Sequence, residues 1–402
     1  MLIRKAYKFR LKTDDKLEQT LAQMAGCCRF VWNMALAMNV KRLEDKQSLL
    51  WYHELAFWLT FWKKTEELSF LKSCPSQSLQ QVLMNLARAF KDAFDKTQSN
   101  KRLPRYKKRY RGDSFCCPQG FKLENRRVFL PKIGWVGFYK SRELEGTPKN
   151  ITIKKLVDGW YVCVQVEIEV AESKHPSKTT VGVDLGVVRF ATLSTGEFFK
   201  PLNSFRNYEK LLAKAQRRLS RQQKFSNNWK RQKRKIGKIH LKIRNRRLDR
   251  LHWISSTVSK NHAVIVLEDL RIKNMSKSSK GSLEMPGKNV KVKSGLNKSI
   301  VDQGWGIFRD LLQYKQNWLG GEIILVDPKY TSQKCPKCLN IDSKNRLTQS
   351  NFQCISCSYK ENADLTGAKN VLAAGLAVMA CQANSNKSRQ QEPVGIRKVV
   401  LS

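Results

Sequence analysis

The chain has 402 residues, 41% of them hydrophobic, which is enough for two or three domains with cores of their own. Lysine and arginine number 76 against 33 acids, a formal net charge of +43. Self-repulsion of that size works against a compact state, so the excess points to a polyanionic partner, nucleic acid before an anionic membrane. The longest apolar run, Val371 to Cys381, is too short to span a bilayer, and the start of the chain is no secretory signal. A reducing cytoplasm is the expected compartment. The 11 cysteines then read as metal ligands or small buried residues rather than disulfides.

Ile3, Tyr7, Phe9 and Leu11 lie on one side of an alternating pattern, which predicts a first strand. Leu17, Leu21, Met24, Cys28, Val31, Trp32 and Ala35 then recur at helical spacing, and a second stripe runs from Leu79 to Phe94. A bundle of three or four helices over residues 13–99 is expected. The loop 101–112 follows, with seven basic residues among its twelve and tyrosines interleaved. Arg102, Arg105, Lys107 and Lys108 suit phosphates there, and the Tyr106 ring suits bases or sugars. Residues 113–175 turn β-rich, with Asp158-Gly159 as a hairpin turn. Together with residues 1–12 they predict a small β-barrel interrupted by the bundle.

Lys174 to Lys178 reads as a linker, after which strands and helices alternate as in an α/β domain. From Lys210 to Arg250 there are 17 basic residues and one acid, Asp249. Two amphipathic helices with cationic outer faces are expected, broken near Ser226. Arg217, Arg218, Arg221, Lys230, Arg231, Arg234, Lys238, Lys242 and Arg246 would cradle a phosphate backbone. Residues 273–299 are polar and read as a mobile segment. The tail 383–402 reads as disordered.

Cys335-Pro336-Lys337-Cys338 and Cys354-Ile355-Ser356-Cys357 are two C-x-x-C knuckles 15 residues apart. That spacing matches a four-cysteine ribbon around one structural zinc, with no open position for water. Cys27, Cys28, Cys74, Cys163 and Cys381 read as buried or half-buried residues with no metal role, and Cys116 and Cys117 lack a partner pair.

Three carboxylates sit at element ends. Asp184 closes the apolar strand Thr179 to Val183, Glu268 closes Ala263 to Leu267, and Asp364 opens an alanine-rich helix. Hydrolysis of a phosphodiester needs an activated water and a stabilised leaving oxygen. Two Mg²⁺ ions about 4 Å apart supply both, and hard cations take carboxylate oxygens. Asp269 and Asp327 are the competing acids nearby.

These pieces together resemble the TnpB family encoded by IS200/IS605-type insertion sequences, small relatives of type V CRISPR effectors. The resemblance rests on Val183-Asp184-Leu185-Gly186, Leu267-Glu268-Asp269-Leu270, Tyr330 to Cys338 and Asn362 to Asn370, with the basic loop 102–112 in support. Leu339 and Ser358 depart from it, standing where glycine often follows the second and fourth zinc cysteines. The resemblance implies a multi-domain α+β protein. A β-barrel wedge domain (1–12 and 113–175) would be interrupted by a helical recognition domain (13–112). A RuvC-like nuclease domain of RNase H fold (176–330 and 360–382) would carry the basic helices 207–258 and an inserted zinc ribbon (331–359). It further implies a guide RNA from the element's flank, target DNA cut beside a short motif, and a monomer in the ribonucleoprotein. A catalytically silent RNA-guided DNA-binding regulator and a transposase are the other readings.

Overall fold

The structure is a computed structural model that describes residues 1–98, 100–109, 112–171, 174–282 and 284–390, with side chains through 382. Tyr110 and Arg111 of the basic loop, and the tail 391–402, lie outside the described residues. Two compact units divide the chain, Met1–Ala171 and Glu172–Ser402.

In the first unit, β1 (Leu2–Leu11) buries Ile3, Tyr7, Phe9 and Leu11, the alternation its sequence shows. The chain then leaves the sheet for α1 (Asp15–Glu44), α2 (Tyr52–Lys64) and α3 (Ser76–Phe94). Asp14 caps α1, its Oδ1 accepting from the Leu17 amide at 2.7 Å. The sheet resumes as β2 (Ser114–Cys117), β3 (Lys122–Glu124), β4 (Arg127–Leu130), β5 (Gly134–Tyr139), β6 (Thr147–Leu156) and β7 (Gly159–Glu169). The strand order is β2-β6-β7-β1-β5-β4-β3, antiparallel throughout. β1 pairs with β7 from Leu2↔Glu169 to Arg10↔Tyr161 but meets β5 only at Arg10 and Leu11. The expected barrel is not closed by hydrogen bonds: β2 and β3 end the ladder, and such short strands leave few groups to close a ring. Helices and sheet share one core, from Leu21 and Leu83 to Phe138 and Trp160. Cys27, Cys28, Cys74 and Cys117 are buried in it and Cys163 is half-buried.

The second unit begins with β8 (Thr180–Asp184), β9 (Ala191–Leu193) and β10 (Phe198–Phe199), an antiparallel meander. The cationic pair follows, α4 (Ser204–Ser220) and α5 (Asn227–Asn261), and then β11 (Val264–Glu268). Next come α6 (Ile272–Met275), α7 (Val290–Gln303), α8 (Trp305–Leu319) and β12 (Glu322–Val326). β13 (Asn351–Gln353) and β14 (Lys360–Asn362) form a small hairpin before α9 (Ala363–Gln390). The main sheet runs β10-β9-β8-β11-β12, with β11 parallel to both neighbours on either side.

Helices cover both faces of this sheet because its central strands are apolar on both. Val181, Val183, Ile265 and Leu267 pack with Leu251, Ile254, Phe308 and Leu312 of α5 and α8. Val266 points the other way and packs with Val371 of α9. Gly182 makes that second layer possible. A Cβ there would lie 2.3 Å from the Ala368 carbonyl oxygen and 2.6 Å from the Leu372 nitrogen.

Three further sequence expectations need correcting. Residues 290–299 belong to α7 rather than to a mobile segment. The sequence of α7 is polar, and what holds it is the packing of Ile300 and the buried Asp302. Asp302 Oδ1 accepts from Ser204 Oγ at 3.0 Å, the Phe205 amide at 2.9 Å and Arg247 Nη2 at 2.7 Å. It thereby serves the start of α4 that has no cap of its own. Residues 383–390, expected to belong to a disordered tail, continue α9 as far as Gln390. Between Gly375 and Pro393 no glycine or proline interrupts it. Cys381, expected at least half-buried, is exposed on this helix.

Candidate metal centres and nucleic-acid interface

β8 and β11 are adjacent and parallel, in register at Val183↔Leu267, so the next residue of each, Asp184 and Glu268, ends its strand at the same edge of the sheet. Ligand clefts form at the carboxyl ends of such strands. Both carboxylates line one cleft of about 230 Å³ with Thr331, Arg346, Ala363 and Gly367. Asp364 stands beside it, in the first turn of α9. Asp364 is not the cap of that helix. Asn362 is, with Oδ1 accepting from the Asp364 and Leu365 amides at 3.1 and 3.4 Å, which leaves the Asp364 side chain for other work.

Burial first, and then the charges of Glu268 and Asp364, push the Asp184 carboxyl up to about 7 against the pull of Arg346 and the Leu185 amide. Burial also raises Glu268, opposed by a hydrogen bond that Thr331 Oγ1 donates to Glu268 Oε1 at 2.6 Å. Arg189 Nε lies 3.9 Å from Asp364 Oδ2. Half-buried like charges gathered at one cleft suit a divalent cation, whose charge would offset the burial that raises Asp184 and Glu268. The three acids do not close onto a single point. Among the described residues only the four zinc-type cysteines bring three or more ligand atoms within 4.8 Å of one another. Neither competing acid joins the cleft: Asp269 pairs with Arg309 at 2.9 Å, and Asp327 Oδ1 accepts from the Lys329 amide in a local turn.

The four cysteines fit a zinc ion. Zinc–sulfur bonds of about 2.3 Å in a tetrahedron put the sulfurs about 3.8 Å apart. Cys335 and Cys357 Sγ are 3.6 Å apart, and Cys338 and Cys354 Sγ are 3.5 Å apart. The two knuckles repeat one backbone pattern. Leu339 N donates to the Cys335 oxygen at 3.0 Å, and Ser358 N to the Cys354 oxygen at 3.0 Å. Leu339 and Ser358 both take left-handed backbone, at φ +64° and +57°. That explains the preference for glycine at these positions.

Every basic residue predicted on the α4–α5 pair is exposed, from Arg217 to Arg246. The predicted cations of the loop before β2, and Tyr106, are exposed as well. That loop is docked on α1: Trp32 Nε1 donates to the Arg105 oxygen at 3.0 Å, and Asn33 bonds both ways to Lys107 at 3.0 and 2.7 Å. Lys107 Nζ sits 3.7 Å above the Trp32 ring, which makes it less available to a phosphate than its neighbours. Sequence reasoning missed Thr331, Arg346, Arg189 and Asn370. Thr331 and Asn370 both lie inside motifs that carry the resemblance, but their roles depend on partners folded from elsewhere in the chain.

Family models match three segments. One described as "Probable transposase" covers residues 163–279, and a "Cas12f1-like, TNB domain" covers 305–371. A "Helix-turn-helix domain" covers 1–48, although the chain there is β1 followed by the single helix α1. The "Putative RNA-guided DNA endonuclease InsQ" of Escherichia coli (strain K12) is 48% identical over 392 residues, 96% of this chain and 97% of the relative. The chain belongs to the TnpB family. A second member of this kind, a "Putative RNA-guided DNA endonuclease" of Streptomyces pristinaespiralis, is 33% identical over 98% of this chain and 94% of its own. The fold is shared more widely. The protein of the solved Cas12f1–sgRNA–target DNA complex aligns with this TnpB chain at a TM-score of 0.55. The alignment spans 92% of this chain and 98% of that one, at 11% identity. Among the described residues, no helix of the chain is long and apolar enough to cross a membrane.

Proposed function

We propose that this protein is an RNA-guided DNA endonuclease of an insertion sequence, and that Asp184, Glu268 and Asp364 are its catalytic carboxylates. The observation that carries the reading is their placement: two acids on the carboxyl ends of neighbouring parallel strands, the third on the helix packed against them. The strand order supports a RuvC-like domain of RNase H fold, an antiparallel meander followed by two parallel strands. The carboxylates would hold two Mg²⁺ ions, which when bound activate water and stabilise the leaving oxygen.

The chain's own residues do the rest. Asp184 and Glu268 present oxygens into the cleft, and their burial keeps them oriented and partly dry. Arg346, the cation that lines the cleft with them, is placed to neutralise a phosphate oxygen. The cationic faces of α4 and α5 suit the backbone of an RNA–DNA hybrid, whose sequence is read by pairing and not by side chains. Cys335, Cys338, Cys354 and Cys357 would hold a structural zinc that closes the ribbon at 331–359. In the first unit, the antiparallel sheet would serve as the wedge. The helices with the loop 101–112 would engage guide RNA and the short motif beside the target. A monomer in the ribonucleoprotein, in the cytoplasm, completes the reading. A silent regulator would not need all three acids, and the full-length likeness to named endonucleases weighs against a transposase.

Asp184→Ala tests the centre. It is expected to lower Mg²⁺-dependent cleavage by about 10³-fold or more while target binding stays near normal. Undiminished cutting would remove Asp184 from the site. Sequencing the RNA that co-purifies with protein expressed alongside its native flank tests the guide. One species with a variable end supports it, and only heterogeneous host RNA counts against it.

A further inference from the structure

Glu268 is anchored from the ribbon side of its cleft. The segment from Thr331 to Lys334 leads directly into the first zinc-type cysteine, Cys335. Its first residue donates the 2.6 Å hydrogen bond to Glu268 Oε1, and Thr331 is itself only 9% exposed. The segment is clamped at both ends by one side chain of α9. Asn370 Nδ2 donates to the Thr331 and Lys334 carbonyl oxygens, each at 2.7 Å. In its middle the Gln333 carbonyl oxygen accepts from Asn345 Nδ2 at 2.9 Å, and Asn345 Oδ1 accepts from the Ile355 amide at 2.9 Å, between the second pair of cysteines. The same helix α9 carries Asp364 two turns earlier. One short segment therefore touches a proposed catalytic carboxylate and the helix of another, runs into the first knuckle of the ribbon, and reaches the second through Asn345.

We propose that Thr331 is a positioning residue for Glu268, and that the Asn370-clamped segment ties the geometry of the nuclease centre to the folded ribbon. The inference rests on the assignment of Glu268 to the cation site. A carboxylate offered to a cation has two oxygens and free rotation about its last bond. A hydroxyl bound to one oxygen fixes the rotation and leaves the other oxygen facing the cleft. Outer-shell partners of this kind change cation affinity by about 10–100-fold when removed. Thr331 Oγ1 has one proton and two acceptors in reach, and the carboxylate oxygen at 2.6 Å outcompetes the Pro328 carbonyl oxygen at 3.0 Å for it. The ribbon then has a second consequence besides stability: a ribbon that loses its fold releases Thr331 and with it the orientation of Glu268.

The test uses full-length protein with its co-expressed RNA and three variants. Thr331→Val keeps the shape and removes the donor. Thr331→Ser keeps the donor and removes a methyl group. Glu268→Gln removes the carboxylate. Mn²⁺ binding is read by electron paramagnetic resonance and cleavage by its dependence on Mg²⁺ concentration, with zinc content and target binding measured alongside. Thr331→Val is expected to raise the Mn²⁺ and Mg²⁺ concentrations for half-saturation by about tenfold or more, with zinc content and target binding as in the native protein. Thr331→Ser is expected to restore native values. Native Mn²⁺ affinity in Thr331→Val, with Glu268→Gln impaired, overturns the positioning role alone. Native Mn²⁺ affinity and cleavage in Glu268→Gln overturn the assignment beneath it. Equal losses in the valine and serine variants assign the effect to packing and overturn the role of the hydroxyl.

Discussion

Asp184 is the residue on which the proposed centre turns. Its carboxyl is raised to about 7 by burial and by two neighbouring acids, so the folded state holds a proton that the unfolded chain has released. Between about pH 4 and pH 7 Asp184 therefore binds more protons in the native state, and its contribution to stability falls as pH rises through that window. Melting without added divalent cation should show this decline. Asp184→Asn should flatten it, and Mg²⁺ should restore the loss at neutral pH. A cation-free melting temperature that rises from pH 5 to pH 7 would contradict the geometry described above. Two other residues carry a separable cost. Leu339 and Ser358 occupy left-handed backbone without being glycine, in knuckles that otherwise have regular hydrogen bonds. Replacing either by glycine should stabilise the ribbon by about 1 kcal/mol, read as greater resistance to zinc loss under chelator. The family's habitual glycine is thus a matter of backbone conformation and not of metal ligation.

At the scale of elements, the second unit is held together where its sequence is least informative. α7 has no strong apolar stripe, yet its Asp302 joins the amino end of α4 to Arg247 in the middle of α5. That carboxylate is almost wholly buried and fully engaged. Asp302→Ala would leave Arg247 without its partner and the first amides of α4 unsatisfied. It should destabilise the unit by about 3–5 kcal/mol, measurable by urea unfolding. A loss under about 1 kcal/mol would mean that the cationic pair is anchored elsewhere. α9 is the other organising element. Gly182 lets it lie against the central strand, and that approach brings Asp364 to the edge where Asp184 and Glu268 end their strands.

For the whole molecule the decisive quantity is charge. An excess of +43, with 17 of the 76 basic residues between Lys210 and Arg250 on one helical pair, predicts binding dominated by counterion release. Affinity for nucleic acid should fall by about 10³-fold or more between roughly 50 and 200 mM salt. Arg218→Ala and Arg231→Ala should each lower the log–log salt slope by about 1 without changing which sequence is bound. A salt slope near zero would mean that the cationic faces meet something other than a phosphate backbone.

Much of this was legible in the residues. The knuckle spacing named a four-thiolate site, the apolar runs ending in Asp184 and Glu268 named buried strands with acids at their ends, and the one-signed run from Lys210 named the cationic helices. These signals are local: a short window of chain contains both the pattern and its physical cause. Two of the departures share a cause. α7 and the closure of the first sheet depend on partners far away in sequence, so no window contained the reason for them. The polar composition of the chain after Ala383 suggests disorder, whereas α9 runs on to Gln390 through a stretch without glycine or proline.

By itself, then, the sequence determined the chemistry on offer: four soft ligands in two turns, three hard acids at element ends, and a surface for polyanions. Only the tertiary structure decided which groups meet. It placed Thr331 and Arg346 in the cleft and set Asn370 to clamp the segment between ribbon and sheet. It also excluded Asp269 and Asp327 through partners of their own. The physical reason is range. Propensity, patterning and knuckle turns act over a few residues, whereas a hydrogen bond such as that between Thr331 and Glu268 spans 63 positions and exists only once the sheet has formed.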